Sequence, residues 1–349
     1  MSGPYATLAV VTDVDTPSPT PSDAVPALTA DDLVRLAGGR LLARSDRPIR
    51  GAAVDSRMVD PGQLFVALPG ERTDGHLYLG EAIEHGASAL LVTRQVADPN
   101  AFGDVTIVRV ADALTGLGAV AAGWRRRFDP LVVGVTGSIA KTSTKEAIAT
   151  VLGATRPTLK TEGNQNNEVG LPLTLLRLGP EHRAAVLEMG MYVSGEIADL
   201  AAMAQPSIGV VTAVQPVHLS RIGTIEAVER AKGELLEALP PGGTAILNAD
   251  DPIVTRMDAR TVARAVRYGF TDTADVRATD VAPAGPAGMR FELRMADGSS
   301  PGPTGRSGAP RSIRGWSIPA TCSWHCPGSG PTAISISTRR SSTVRRPSW

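Results

Sequence analysis

Apolar positions in this chain fall into short runs, and the material between the runs divides the sequence. Between residues 28 and 112 the runs LFVAL, ALLV and TIVRV alternate with polar or helical stretches. Apolar runs this short, bounded by turn residues, read as buried strands. The segment LTADDLVRLAGG opens this part. Thr29 followed by Asp32 fits a capping box, and Gly38 and Gly39 can end the helix. The pattern predicts a small amino-terminal α/β domain over 28–112.

Over 113–295 the runs LVVGV, AAVLEMG, IGVVTAV and TAILNAD each end in polar or small residues, and helical patterns such as TKEAIATVL and IEAVERAKGELLEAL lie between them. Alternation of this kind predicts a mostly parallel sheet covered on both faces. Functional residues are then expected where the strands reach their carboxyl ends. The fold class is α/β, a small domain followed by a larger parallel-sheet domain. Residues 1–27, rich in Pro, Ser, Thr and Asp from residue 13 onward, are expected to be disordered. After about residue 295 Ser, Gly, Pro and Arg dominate and no period is visible.

Composition narrows the class. The 349 residues carry 35 basic and 35 acidic side chains, so nothing points to nucleic acid or an anionic membrane as partner. No apolar run approaches the roughly 18 residues of a spanning helix. The start, MSGPYATLAVVTD, lacks a basic signal-peptide region, and two cysteines make no disulfide framework. A cytoplasmic monomer without membrane insertion is the expectation.

The chemistry concentrates in GVTGSIAKTST, residues 134–144, which follows a buried strand and opens a helix. That is the context of a phosphate-binding loop: backbone N–H groups hold phosphate oxygens, a lysine adds charge, and the next hydroxyl binds Mg²⁺. Lys141 and Thr142 fit those last two roles. Ala140 departs from the pattern, which has glycine before the lysine, and its Cβ needs an allowed backbone conformation and room beside the phosphates. LEMG puts Glu188 at a strand end, where a carboxylate can bind Mg²⁺ but is more often structural. His218 follows another strand, in QPVHLSRIG. Lys232, between Glu229 and Glu234, reads by pattern alone as part of a solvated helix face. Asn248 and Asp251, in NADD, can contact a nucleotide or cap a helix.

Six segments occur in order: DSRMVDPGQLFVALPGERTDGH (55–76), the loop with Lys141, TEGNQNNEVGLPLTLL (161–176), LEMG, VHLSRIGTIEAVERAKGELL and NADD. Together they resemble the Mur ligase family of cell-wall synthesis over about residues 28–295. The asparagine-rich loop and LEMG are most similar to the members that join D-alanyl-D-alanine to UDP-N-acetylmuramoyl-tripeptide. The resemblance implies a UDP-sugar-binding domain at 28–112 and a P-loop ATPase domain at 113–295. It implies that ATP phosphorylates the tripeptide carboxylate and that the dipeptide amine attacks the acyl phosphate. It also implies that Gly134, Thr136, Gly137, Ser138, Ala140, Lys141, Thr142 and Ser143 bind ATP. Thr142 and Glu188 then hold one Mg²⁺, and His218 helps hold a second. Lys232 matches a lysine that the family carbamylates, which reverses its solvated-face reading. Asn164 and Asn167 match a loop near ATP and the acceptor, Asn248 and Asp251 the adenosine end, and Ser56 and Arg57 the UDP-sugar motif. Family members carry a third, carboxy-terminal α/β domain, for which no counterpart is found here, so ligation is expected to be impaired. Two other readings stay open: a non-catalytic module that binds nucleotide or UDP-precursor, and another superfamily ligase such as a folylpolyglutamate synthase, against which the DSR…DGH segment argues.

The last 54 residues, 296–349, contain the only cysteines, in ATCSWHCPGSGP. Cys322, His325 and Cys326 have metal-ligand chemistry, but the codons argue otherwise. Shifting the reading frame by one base lets this stretch encode residues 38–91 of the same chain. His325 after Trp324 then gives alanine, matching Ala67, and Cys326 gives leucine, matching Leu68. Residues 331–334 can give Thr-Asp-Gly-His, matching 73–76. Only Thr321 and Thr338 resist every codon choice. The tail is therefore expected to be an out-of-frame translation of a near-copy of the amino-terminal domain, disordered and without a metal site.

Overall fold

A computed structural model describes residues 26–70, 73–216, 223–283 and 289–296. The remainder of the amino-terminal segment, His218 and the tail with Cys322, His325 and Cys326 lie outside the described residues.

The first helix, α1 (Ala30–Ala37), has the expected ends. Thr29 and Asp32 form a reciprocal capping box, and Gly38 closes the helix in the left-handed conformation. A five-stranded sheet follows in the order β1-β5-β4-β3-β2, made of β1 (Arg40–Ala43), β2 (Ala52–Ala53), β3 (Leu64–Val66), β4 (Ala89–Val92) and β5 (Thr106–Arg109). Only β1 pairs antiparallel. Helix α2 (Leu79–Glu84) lies between β3 and β4 in sequence.

Helix α3 (Ala113–Arg125) packs on α1 and on two helices of the second sheet, so its inward face serves both sheets. Leu117, Val120 and Trp124 join one apolar cluster with Leu64, Leu91 and Val108 on one side and Leu171, Leu175 and Leu200 on the other. Gly123 permits the approach of α1, because a Cβ there would meet Leu36 Cδ2 at 2.2 Å. Trp124 also donates its indole N–H to the Leu178 carbonyl at 2.9 Å.

The eight-stranded sheet contains β6 (Leu131–Thr136), β7 (Thr158–Lys160), β8 (Ala184–Glu188), β9 (Ile208–Val211), β10 (Thr244–Asn248), β11 (Arg264–Gly269), β12 (Val276–Pro283) and β13 (Met289–Met295). Their order is β13-β12-β11-β10-β9-β6-β8-β7, parallel except for the β12–β13 pair. Alternate residues of β6 face opposite sides. Val133 and Val135 pack with Ala149 of α4 (Lys141–Gly153). Val132 faces the other layer, formed by α5 (Gly170–Leu175), α6 (Glu196–Ala204) and α7 (Ile225–Glu237). The two-sided burial expected from the continuous apolar runs is present.

The antiparallel edge pair β12–β13 has no counterpart in the sequence reading. The residues of β12 and those of β13 from Arg290 on are half-exposed or exposed, so no continuous apolar run marks the pair. Among the described residues, no helix is long and apolar enough to cross a membrane.

Candidate active site

Strand β6 lies between β8 and β9, and chain order reverses around it. Its carboxyl end is thus a switch point of the sheet, where a crevice opens between diverging loops. The turn leaving β6 is held tightly. Thr136 donates its hydroxyl to the Met189 carbonyl at 2.9 Å, and Thr212 donates to the Ile139 carbonyl at 2.6 Å. Ser138 N–H donates to the Ala213 carbonyl, and the Ser138 hydroxyl accepts from Gln215 N–H at 2.9 Å. Gly137 has φ 152°, and a Cβ there would stand 1.9 Å from Thr212 Oγ1. Gly134 faces Leu235, whose Cδ1 would lie 2.8 Å from an added Cβ.

Ala140 caps α4 in the left-handed conformation, φ 62° and ψ 10°. A residue with a Cβ pays a conformational penalty there that glycine avoids. The turn nevertheless presents the amino end of α4 to the crevice, with Lys141, Thr142 and Ser143 in its first turn. Lys141 Nζ donates to the Gly137 carbonyl at 2.8 Å. Burial lowers the Lys141 pKa, and the nearby Glu188 carboxylate opposes that shift.

Glu188, 2% exposed at the end of β8, gathers three elements. Its Oε2 accepts from the Thr142 hydroxyl at 2.9 Å, and its Oε1 from Asn166 Nδ2 at 2.8 Å. Its backbone N–H donates to Thr161 Oγ1 at 3.0 Å. Asn166 was not singled out in the sequence, where Asn164 and Asn167 were. Asn167 accepts from Gly170 N–H, at the start of α5, at 2.9 Å, and Asn164 is exposed. Lys145 was also missed. It is fully buried and donates to the carbonyls of Thr161 and Gly163. One turn along a charged helix its sequence looks solvated; only the fold reveals its burial.

Lys232 corrects the pattern-based reading of a solvated face. On α7 it is 4% exposed, and burial, with Lys141 adding a like charge, lowers its pKa to about 7.

Two cavities flank the turn. One, of about 540 Å³, is lined by Ile139, Ala140, Thr144, Asn248, Asp251 and Tyr268 among others. Asn248 donates to the Thr212 carbonyl at 2.9 Å. Asp251 accepts from Val214 N–H and caps the short helix α8 (Pro252–Thr255). Both residues therefore brace the wall as well as line it. The other cavity, about 860 Å³, is lined by Lys141, Asn166, Asn167, Tyr192 and one face of α3. Ser56 and Arg57 line neither. Ser56 donates to Glu81 Oε2 at 2.5 Å, and the exposed Arg57 forks onto Asp55.

Oxygen donors at Thr142 and Glu188 suit a hard cation such as Mg²⁺. Among the described residues no cluster of three or more His, Cys, Asp or Glu side chains can hold a metal. A magnesium that bridges phosphates needs only one or two carboxylates, so the pair fits such a group.

The Mur ligase middle domain model matches residues 135–299, and the Mur ligase catalytic domain model matches residues 48–125. The chain belongs to the Mur ligase family. The middle-domain match contains Lys141, Glu188, Lys232, Asn248 and Asp251, and it ends beside the junction at residue 296. The Mur ligases similar to it include the UDP-N-acetylmuramoyl-tripeptide–D-alanyl-D-alanine ligase of Synechocystis sp., 41% identical over 67% of this chain and 51% of that protein. The enzyme of the same name from Escherichia coli is 39% identical over 64% and 48%. That from Mycobacterium tuberculosis is 36% identical over 77% and 58%. Among solved Mur ligases, MurF from Acinetobacter baumannii superposes with TM-score 0.70 at 29% identity, covering 78% of this chain and 60% of that one. MurF ligase from Thermotoga maritima, in complex with ADP, gives TM-score 0.63 at 31% identity over 71% and 56%. The chain spans about half the length of the curated relatives it matches.

Proposed function

We propose that this chain carries the ATP and UDP-precursor sites of a ligase that adds D-alanyl-D-alanine to UDP-N-acetylmuramoyl-tripeptide. One observation carries the reading: the turn at 134–142 divides two cavities, with Ile139 and Ala140 on one and Lys141 on the other. Adenosine in the smaller cavity, against Asn248, Asp251 and Tyr268, leaves its phosphates over the amino end of α4. The larger cavity then receives the tripeptide carboxylate. The γ-phosphoryl group of ATP passes to that carboxylate across Lys141, and ADP leaves. The dipeptide amine next attacks the acyl carbon, and phosphate leaves as the amide forms.

This chain's residues supply positioning and charge. The free N–H groups of α4 and the Lys141 ammonium hold the phosphates and stabilise charge on the transferring group. Thr142 and Glu188 are the candidate ligands of one Mg²⁺, which when bound neutralises phosphate charge. Asn166 fixes Glu188, and Asn167 faces the acceptor side. Lys232 has the environment for carbamylation: burial favours its neutral amine, and only a neutral amine adds to carbon dioxide. With His218, the resulting carbamate is the proposed anchor of a second cation. Ser56 and Arg57 are proposed to meet the UDP-sugar, Arg57 exchanging Asp55 for a phosphate.

Titration of the purified chain with ATP and Mg²⁺, then with UDP-N-acetylmuramoyl-tripeptide, tests the binding step. Release of phosphate on adding D-alanyl-D-alanine tests ligation. Binding without phosphate release identifies a nucleotide-precursor-binding module instead. A chain with no affinity for magnesium nucleotide overturns both readings.

A further inference from the structure

Four charged side chains form a row beneath the phosphate loop. Lys160 Nζ lies 2.5 Å from Glu146 Oε2, and Glu146 Oε1 lies 3.2 Å from Lys145 Nζ. Lys145 Nζ lies 3.9 Å from Glu188 Oε2. Two positive and two negative charges therefore alternate, and the Lys145–Glu188 end of the row is the buried one, whereas the Glu146 side chain is half-exposed. Lys145 is additionally fixed by donating to Thr161 and Gly163 carbonyls at 2.7 and 3.2 Å. It cannot swing away without leaving both carbonyls unpaired.

We propose that Lys145 is a positioning residue that acts as a resident counter-cation for Glu188. This rests on reading Glu188 as a magnesium ligand. The same Oε2 that faces the Thr142 hydroxyl faces the Lys145 ammonium. A divalent cation binding there alone would meet an ammonium a few ångströms away, with the carboxylate charge already offset. Repulsion at that range inside a protein is strong. Phosphate oxygens, which bring several negative charges, reverse the balance. Lys145 thus makes cation binding conditional on the nucleotide and keeps Glu188 from capturing free metal. Lys141 also feels the Glu188 charge, but it lines the larger cavity and a single carbonyl, that of Gly137, holds it where two hold Lys145. The bonds of Lys145 to 161 and 163 further tie this charge balance to the loop bearing Asn166.

The probe is Mn²⁺, its free fraction measured by electron paramagnetic resonance, with the full chain in the presence and absence of ADP. The wild-type chain is expected to bind Mn²⁺ at least about tenfold more tightly with ADP than without. Lys145→Gln keeps an N–H donor for the carbonyls and removes the charge. It is expected to bind Mn²⁺ without ADP at least about tenfold more tightly than wild type. Lys145→Arg is expected to restore wild-type behaviour, and Lys145→Gln with Glu188→Gln to lose the gain. Damage to the fold would weaken Mn²⁺ binding, so a gain separates this role from a structural one. A folded Lys145→Gln chain with unchanged or weaker Mn²⁺ affinity overturns the proposal. Should that variant not fold, equal wild-type affinity with and without ADP overturns it and tenfold enhancement by ADP supports it. Absence of any ADP affinity counts against the nucleotide site, whereas the Lys145→Gln gain is read without nucleotide and stands or falls separately.

Discussion

Thr142 donates its hydroxyl to Glu188 Oε2 at 2.9 Å, linking the first turn of one helix to the end of a neighbouring strand. The two residues are 46 positions apart, yet the fold brings their side-chain oxygens within hydrogen-bond distance. Glu188→Gln keeps the shape and the hydrogen-bonding capacity but removes the charge. Magnesium should then no longer strengthen ADP binding, a loss of roughly tenfold or more, with metal-free affinity nearly unchanged. Calorimetric titration with and without Mg²⁺ checks this.

Ala140 sits in the left-handed region without the freedom of glycine. Ala140→Gly should stabilise the chain by roughly 0.5–1 kcal/mol, the relief of backbone strain exceeding the added freedom of the unfolded chain. Urea denaturation measures it. A destabilised variant would show that the methyl group packs usefully against the turn.

Gly137→Ala should do the opposite. The added Cβ falls 1.9 Å from Thr212 Oγ1, a hydroxyl already committed to the Thr136 and Ile139 carbonyls. The turn must open to admit it. Loss of nucleotide affinity by about a hundredfold, with a lower melting temperature, is the expected result.

Lys232 makes stability depend on pH in a fixed direction. Burial lowers its pKa from 10.5 to about 7, so between those values the unfolded chain holds a proton that the folded chain does not. Stability from this group therefore rises with pH across that window. Lys232→Met, which removes the titration, should show a melting-temperature advantage that grows as pH falls from 10.5 toward 7 and then levels off. The same neutral fraction governs carbamylation, so bicarbonate should raise the mass of the wild-type chain by one carboxylate, increasingly above pH 7. Native mass spectrometry reads that addition.

The strand, turn and helix around Lys141 were legible because each leaves a strong local mark: a continuous apolar run, glycine, then Lys-Thr. The capping of α1 by Thr29 and Asp32 was legible for the same reason. Lys145 was not, and Lys232 was singled out only through the family resemblance, since a charged residue amid helix formers looks alike whether it is exposed or buried. Burial is decided by elements far away in sequence. Asn166 was hidden among similar neighbours, because a run such as NQNN does not specify which side chain points to β8. Strands β12 and β13 escaped because one face of an edge pair meets solvent and needs no apolar run.

The tail makes a prediction that needs no structure. The coding DNA should pass, at about codon 296, into a neighbouring frame that reads DSR…VDPG…VALPG further along, opposite the residues that follow about 312. Sequencing from that junction onward decides it, and DNA unable to encode those segments would refute the out-of-frame reading.

One face of α3 walls the larger cavity through Asp112, Thr115 and Gly118, while Leu117, Val120 and Trp124 anchor the opposite face among side chains of both sheets. A small molecule wedged against that wall would press on the keystone of the whole chain. Even a weak ligand there should announce itself as a rise in global melting temperature, which makes a simple heat-and-dye screen a practical route to inhibitors of this face.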